Sequence, residues 1–168
     1  MTELLLIVTC CLAAMIPVLC QLKITHQGFS MVKQTNSLVY LLCRTTISFI
    51  WLYHGLIPKL LWPHKDEIAM NMTFGLSYDA ALAVAQVGGL LEIGMAIILL
   101  VFWRQKWPLV ATAAAMVGLL IFVTITTPQL LAGAFNPVTT NISVFVLAFT
   151  ALILHQPTKM TQGSYNKV

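Results

Sequence analysis

The sequence predicts an all-α, polytopic membrane protein: a four-helix transmembrane bundle with an extra N-terminal transmembrane helix. Composition is the first observation, because 59% of the 168 residues are hydrophobic and only 8% are charged, whereas soluble domains carry about 25% charged residues. The second observation is that the apolar residues form five runs, each near the length of about 20 residues that crosses a bilayer as a helix. We therefore expect an integral membrane protein surrounded by lipid.

The first run, Leu4–Leu22, lies in an N-terminal segment of residues 1–30. A secretory signal begins with basic residues and ends at a pair of small residues. Here Glu3 precedes the run, and no such pair occurs near Cys20. These features favour an uncleaved anchor, although Met31 is an alternative start of the chain.

The other four runs lie in a membrane domain of residues 38–155, and residues 156–168 form a polar tail. The joints between the runs are short, and Asn136 followed by Pro137 is typical of a helix start. The predicted spans are Leu38–Leu61, Ala80–Trp103, Trp107–Thr127 and Pro137–His155.

Basic residues predict the orientation of the spans. If all five runs cross the membrane, most of the lysines and arginines near span ends fall on one side, and basic residues favour the cytoplasm. The C-terminus is then cytoplasmic, and the polar segment of residues 62–79 is external. Within that segment, Pro63 followed by Asp66 and Glu67 predicts a short surface helix.

Glu92 is the strongest functional signal in the sequence, because it lies near the middle of the second domain span. A carboxylate at that depth must be paired, protonated or in contact with water. Small residues share its helix face and predict close approach of a neighbouring helix. These residues are Ala81, Ala85, Gly88, Gly89 and Ala96.

Arg44 is the expected partner of Glu92, since it enters the first domain span from the cytoplasmic side with a side chain long enough to reach inward. We predict a buried Arg44–Glu92 ion pair. Such a pair either fixes only the arrangement of the helices, or forms a charged site that binds a polar head group or relays a proton.

Lys59 is a further ligand or ion-pair candidate near the outer end of the domain, and His54, Thr127 and Asn141 are secondary polar candidates. Pro58 predicts a kink after Gly55, and Lys59 beyond it is either an interfacial anchor or a ligand at an outer opening. His54 is expected to be a satisfied interfacial histidine rather than a ligand, whereas Thr127 and Asn141 are expected mainly to make hydrogen bonds between helices. A pocket lined by Lys59, Thr127 and Asn141 is the alternative.

Several kinds of chemistry have no signature in the sequence. The basic residues are scattered, so we expect no binding to nucleic acid. No metal-binding cluster, bis-histidine haem site or catalytic motif is present, and a self-contained active site is not expected. The four cysteines lie in apolar runs and are expected to be buried hydrophobes.

The segments LVYLLCRTTISFIWLYHGLIPKLL, GGLLEIGMAIILL and FNPVTTNISVFVLAF, in this order, resemble the DoxX-like family of small four-helix membrane proteins. The resemblance covers residues 38–155. It implies a four-helix bundle in the bacterial inner membrane, with Arg44, Lys59 and Glu92 as the candidate functional residues. The segment Leu4–Leu22 departs from the family pattern.

The resemblance also implies a function. Relatives include subunits of quinone-linked oxidoreductase assemblies, which implies an accessory or anchor subunit with an oxidoreductase partner, no intrinsic cofactor and quinone as a diffusible ligand. Two alternatives stay open: a small transporter or lipid-handling protein, and a structural membrane module without a ligand.

Overall fold

The computed structural model describes residues 29–133 and 136–155. The expected N-terminal span, the whole polar tail and three of the four cysteines lie outside these residues. The described chain is entirely helical, without strands. Its α-helices are α1 (Phe29–Gly55), α2 (Lys65–Met72), α3 (Tyr78–Val101), α4 (Trp107–Thr126) and α5 (Pro137–Leu154). A π-helix (Leu56–Leu61) continues α1, and a 3₁₀-helix (Pro128–Ala132) follows α4.

Three of these helices, α3, α4 and α5, are long and apolar enough to cross a membrane. Their bounds agree to within about two residues with the spans expected from the sequence. Large apolar side chains on their outer faces stay exposed, such as Leu91 (71% exposed) and Ile125 (77% exposed). Such faces are those of helices surrounded by lipid, where exposure of apolar surface carries no cost.

The first domain span is built differently from the expectation of a simple kink. After Gly55 the chain widens into the π-helix, which contains Pro58 and Lys59. Proline has no N–H to donate to the preceding turn, and π-helical turns are a known way to absorb such a break. The amide of Trp62 donates to the carbonyl of Ile57 at 2.8 Å, which closes this wide turn.

Four long helices contribute side chains to a single core in the compact unit that begins at Asn36. On α1, the buried residues repeat at helical spacing, so they lie on one face of the helix. Helices α4 and α5 form the most extensive pair in the unit. The core includes Tyr40, Cys43, Ile47 and Trp51 from α1, Ala96 and Leu99 from α3, Leu109 and Met116 from α4, and Val144, Ala148 and Ala151 from α5.

Local sequence signals fix the helix ends. The Asn136 side chain accepts a hydrogen bond from the amide of Thr139 at 3.0 Å, and Pro137 takes the first helical position, as expected. The expected surface helix is α2, and His64 caps it by accepting from the amide of Asp66. Its buried Asn71 donates to the carbonyl of Ala81 at 3.1 Å, which holds α2 against α3.

Candidate functional site

Lys59 lies at the centre of a buried group of three charges. Its Nζ is 2.7 Å from Oε1 of Glu92 and 2.9 Å from Oε1 of Glu67. The side chains of Lys59 and Glu92 are only 12% and 13% exposed, and that of Glu67 is 25% exposed. We call these three residues the charge triad. One lysine and two ionised carboxylates carry one net negative charge.

Close contact between two glycines positions the triad. A methyl group added at Gly55 would lie 2.5 Å from the carbonyl oxygen of Gly89, and one added at Gly89 would lie 2.7 Å from the carbonyl oxygen of Gly55. The backbones of α1 and α3 can touch here only because neither residue has a side chain. The contact brings the π-helix onto α3, so that Lys59 lies over Gly88 and Gly89.

The third member of the triad comes from the short helix. Glu67 lies in the first turn of α2, beside the buried Ile68. Helix α2 packs against α3: Asn71 binds the carbonyl of Ala81, and Glu67 reaches the Lys59 that lies beside Gly89. The second carboxylate therefore reaches the lysine from the external loop expected from the sequence.

A cavity of about 50 Å³ lies beside Glu92 between the long helices. Oε1 of Glu92 accepts from Lys59, whereas Oε2 is buried without a hydrogen-bond partner. A volume of this size holds about three waters, and polar atoms are present to bind them. The lining residues are Ile50, Trp51, His54, Glu92, Met116, Leu119, Thr140, Asn141 and Val144.

The expected Arg44–Glu92 ion pair is wrong. Arg44 is 1% exposed and donates to the carbonyl oxygens of Leu99 (2.6 Å), Phe102 (2.6 Å) and Gln105 (3.1 Å). These carbonyls lie at the end of α3, where the last turn of a helix leaves acceptors unpaired and carries partial negative charge. The guanidinium group of Arg44 therefore binds the free carbonyl groups at the end of α3. Glu92 pairs instead with Lys59, which is nearer.

Tyr40 completes this second cluster. Its hydroxyl accepts from Nη1 of Arg44, donates to the carbonyl of Trp103 and lies 3.3 Å from Nδ1 of His155. A phenol oxygen has one proton and two acceptor sites. Because the proton goes to Trp103, His155 must be the donor to Tyr40. The cluster thus ties the middle of α1 to the ends of α3 and α5, which is a structural role.

The remaining sequence candidates are separated by the fold. His54 and Asn141 both line the cavity with Glu92. Thr127 is buried with no hydrogen-bond partner for its hydroxyl, but it follows the end of α4 and does not line this cavity. Lys59 is a member of the triad, with its side chain 12% exposed and its ammonium group paired to both carboxylates rather than extended to the surface.

Three residues of the site were not among the sequence candidates. Glu67 was expected only as part of a short surface helix, and neither Trp51 nor Thr140 was among the candidates. Trp51 lines the cavity and donates from Nε1 to Thr112 at 3.3 Å. For Glu67 a signal existed in the sequence. The short helix begins at Lys65, a few residues after Lys59, and Glu67 is an acidic residue in its first turn.

In the part of the chain that the structure describes, no three histidine, cysteine, aspartate or glutamate side chains are arranged to hold a metal ion. The chemistry available at the site is proton exchange and hydrogen bonding. Glu92 offers an acceptor, Asn141 offers both donor and acceptor groups, and the ring nitrogens of His54 can serve as either.

Comparison with protein-family models gives one match. The model of the DoxX-like family matches residues 48–149, which is more than half of the chain. The matched segment includes Lys59, Glu67 and Glu92 but begins after Arg44. Neither the search of curated proteins nor the search of solved structures gave a match.

Proposed function

The chain belongs to the DoxX-like family, and on that premise we propose that it is a membrane subunit of a quinone-linked redox system, without an active site of its own. The role is that of an accessory or anchor protein for an oxidoreductase partner. The buried site around Glu92 is where a quinone or quinol would be recognised.

The proposal includes an arrangement in the membrane. Helix α1 with its π-helical continuation is a fourth span, since its buried face packs in the same core as α3, α4 and α5. Arg104 and Lys106 stand at the turn between α3 and α4, and Lys159 and Lys167 follow α5. Basic residues at one end of the bundle support a cytoplasmic C-terminus and the inner membrane of a bacterium.

The observation that carries the proposal is the buried, partnerless Oε2 of Glu92, in a residue that lines a largely apolar cavity together with His54 and Asn141. A quinol hydroxyl can donate to this oxygen, and a quinone carbonyl can accept from Asn141 or His54. The cavity of about 50 Å³ admits the oxygen edge of a head group together with water, so the rest of the ring would lie between helices. Net negative charge on the triad favours a donor over an anionic ligand.

The charge triad bears on the alternative that the protein handles lipids. Lipid phosphate was a conceivable ligand of Lys59, but both carboxylates already lie within 3 Å of its ammonium group. A phosphate would have to displace one of them and bring a further negative charge. A lipid-handling role through Lys59 is therefore disfavoured, whereas transport of a small polar solute past Glu92 remains the second candidate because the cavity lies at that depth.

Co-purification tests the proposal. The chain is extracted in mild detergent from its native membrane, and bound proteins and lipids are identified by mass spectrometry. We expect an oxidoreductase in stoichiometric amount, and quinone that is lost from Glu92→Gln but retained by Asp79→Asn. The control replaces an exposed carboxylate in the first turn of α3. Recovery of the bare protein with ordinary phospholipid would contradict the proposal and favour transport or a structural role.

A further inference from the structure

The environment of Glu92 supports a second property, which does not require a redox partner. We propose that Glu92 is a proton-binding site, and that water in the adjacent cavity and the charge triad connect it to the membrane side on which α2 lies. The ligand is a proton, accepted at Oε2, with water as the bridging molecule.

The first argument is hydrogen bonding. Oε2 is buried and has no donor in the structure, although Oε1 of the same carboxylate accepts from Lys59 at 2.7 Å. Polar atoms without a partner in a protein interior are costly, and native structures satisfy nearly all of them. A proton on Oε2 turns this atom into a donor, and Glu92 lines a cavity that has space for water.

The second argument is charge. The titratable groups that face Glu92 are His54 on α1, Lys59 on the π-helix and Glu67 on α2. Helices α4 and α5 present only uncharged lining residues to the cavity. With both carboxylates ionised the triad has one net negative charge, and a single proton on Glu92 makes it neutral. An interior of low dielectric constant favours the neutral form.

The third argument is access from one side. Glu67 is 25% exposed, and the neighbouring Lys65 and Asp66 are exposed, so the α2 end of the triad is in contact with the polar surface. In the opposite direction, α1 and α3 carry the fully buried Ile47 and Leu99, and the buried hydroxyl of Ser48 is bound to the carbonyl of Ala96. A proton therefore has a polar route on the α2 side and a mainly apolar interior on the other side.

Infrared spectroscopy of the protein in lipid vesicles tests the proposal. The protonated carboxyl group has a C=O band distinct from the carboxylate bands, and this band moves when H₂O is replaced by D₂O. We record it as a function of pH for the wild type, Glu92→Gln, Glu67→Gln and Asp79→Asn, with helicity measured by circular dichroism in each variant.

The expected result is a band that appears on acidification in the wild type and in Asp79→Asn and is lost in Glu92→Gln. Removing one negative charge of the triad should shift the half-point of the band in Glu67→Gln to lower pH by about one unit. This shift is independent of whether Glu92→Gln folds. A band that persists in folded Glu92→Gln, or a half-point that does not move in Glu67→Gln, would overturn the assignment.

Sidedness is tested in vesicles of known protein orientation, with the pH fixed inside and changed outside. The Glu92 band should follow the pH on the α2 side and not on the side of the C-terminus. The opposite result would overturn the proposed route. Because the measurement uses the chain without partner or quinone, its outcome is separate from that of the co-purification experiment.

Discussion

The contact between Gly55 and Gly89 yields a prediction whose size follows from the structure. In Gly55→Ala the new methyl carbon would be 2.5 Å from the carbonyl oxygen of Gly89 and 3.0 Å from Cγ1 of Ile93. Ordinary contact begins at 3.4 Å, so the two backbones would have to separate by the difference, about 0.9 Å. The obstacle is a carbonyl group of a helix, which cannot rotate away as a flexible side chain can.

Overpacking of this kind costs about 1–3 kcal/mol. The backbone at Gly55 is itself right-handed helical (φ −69°, ψ −43°), so alanine meets no conformational strain there. A matched control is Gly94→Ala on α3, where a methyl group would have no neighbour within 4 Å. Since alanine is the better helix former, the control should be neutral or more stable by up to about 1 kcal/mol.

The assay is unfolding in detergent, followed by circular dichroism over a denaturant or temperature series, for wild type, Gly55→Ala and Gly94→Ala. We expect Gly55→Ala to be less stable than Gly94→Ala by about 1–3 kcal/mol, the cost of the clash, because the gain in helix propensity is common to both substitutions. Separation of the helices should also displace Lys59 from Glu92. Equal stability of the two variants would refute the argument that direct backbone contact holds the π-helix against α3.

Three further predictions concern the buried polar groups. Arg44→Lys should lower the free energy of unfolding by about 3 kcal/mol, because a lysine cannot span the carbonyls at the end of α3; thermal unfolding measures this, and the exposed Arg104→Lys should show no change. Lys59→Met should be strongly destabilising because it leaves Glu92 without its cation, and adding Glu92→Gln should recover about 2 kcal/mol or more in a double-mutant cycle; additive effects would contradict the ion pair. Tyr40→Phe should cost about 1–2 kcal/mol in the same unfolding assay through lost hydrogen bonds, and an unchanged stability would show that water replaces the phenol.

Much of the fold could be predicted because it depends on local properties of the chain. Three spans appear within about two residues of their expected positions, and the cap at Asn136 and the short helix after Pro63 are where the sequence indicated. The buried faces of α1 and α3 also follow from helical spacing alone. The importance of Glu92 was predictable for the same reason, since a carboxylate at the middle of an apolar run needs a partner.

The partner of Glu92 was not predictable from spacing. Arg44 seemed suitable because its long side chain enters the same bundle, but a charged side chain pairs with whatever lies nearest in space. The end of α3 supplies Arg44 with carbonyl oxygens of Leu99, Phe102 and Gln105, and a helix end offers these acceptors irrespective of sequence. Because these acceptors are backbone carbonyl groups, no side chain in the sequence indicates them. The actual partners of Arg44 could therefore not be predicted.

The sequence by itself determined that this chain is a bundle of apolar helices with a carboxylate inside, because composition and helical period dictate which residues face lipid and which face protein. Only the tertiary structure decided what that carboxylate touches. The contact of Gly55 with Gly89 and the return of α2 along α3 place Lys59 between Glu67 and Glu92. Those distances depend on how helices far apart in the chain approach each other, and ionic contacts change sharply over a few ångströms.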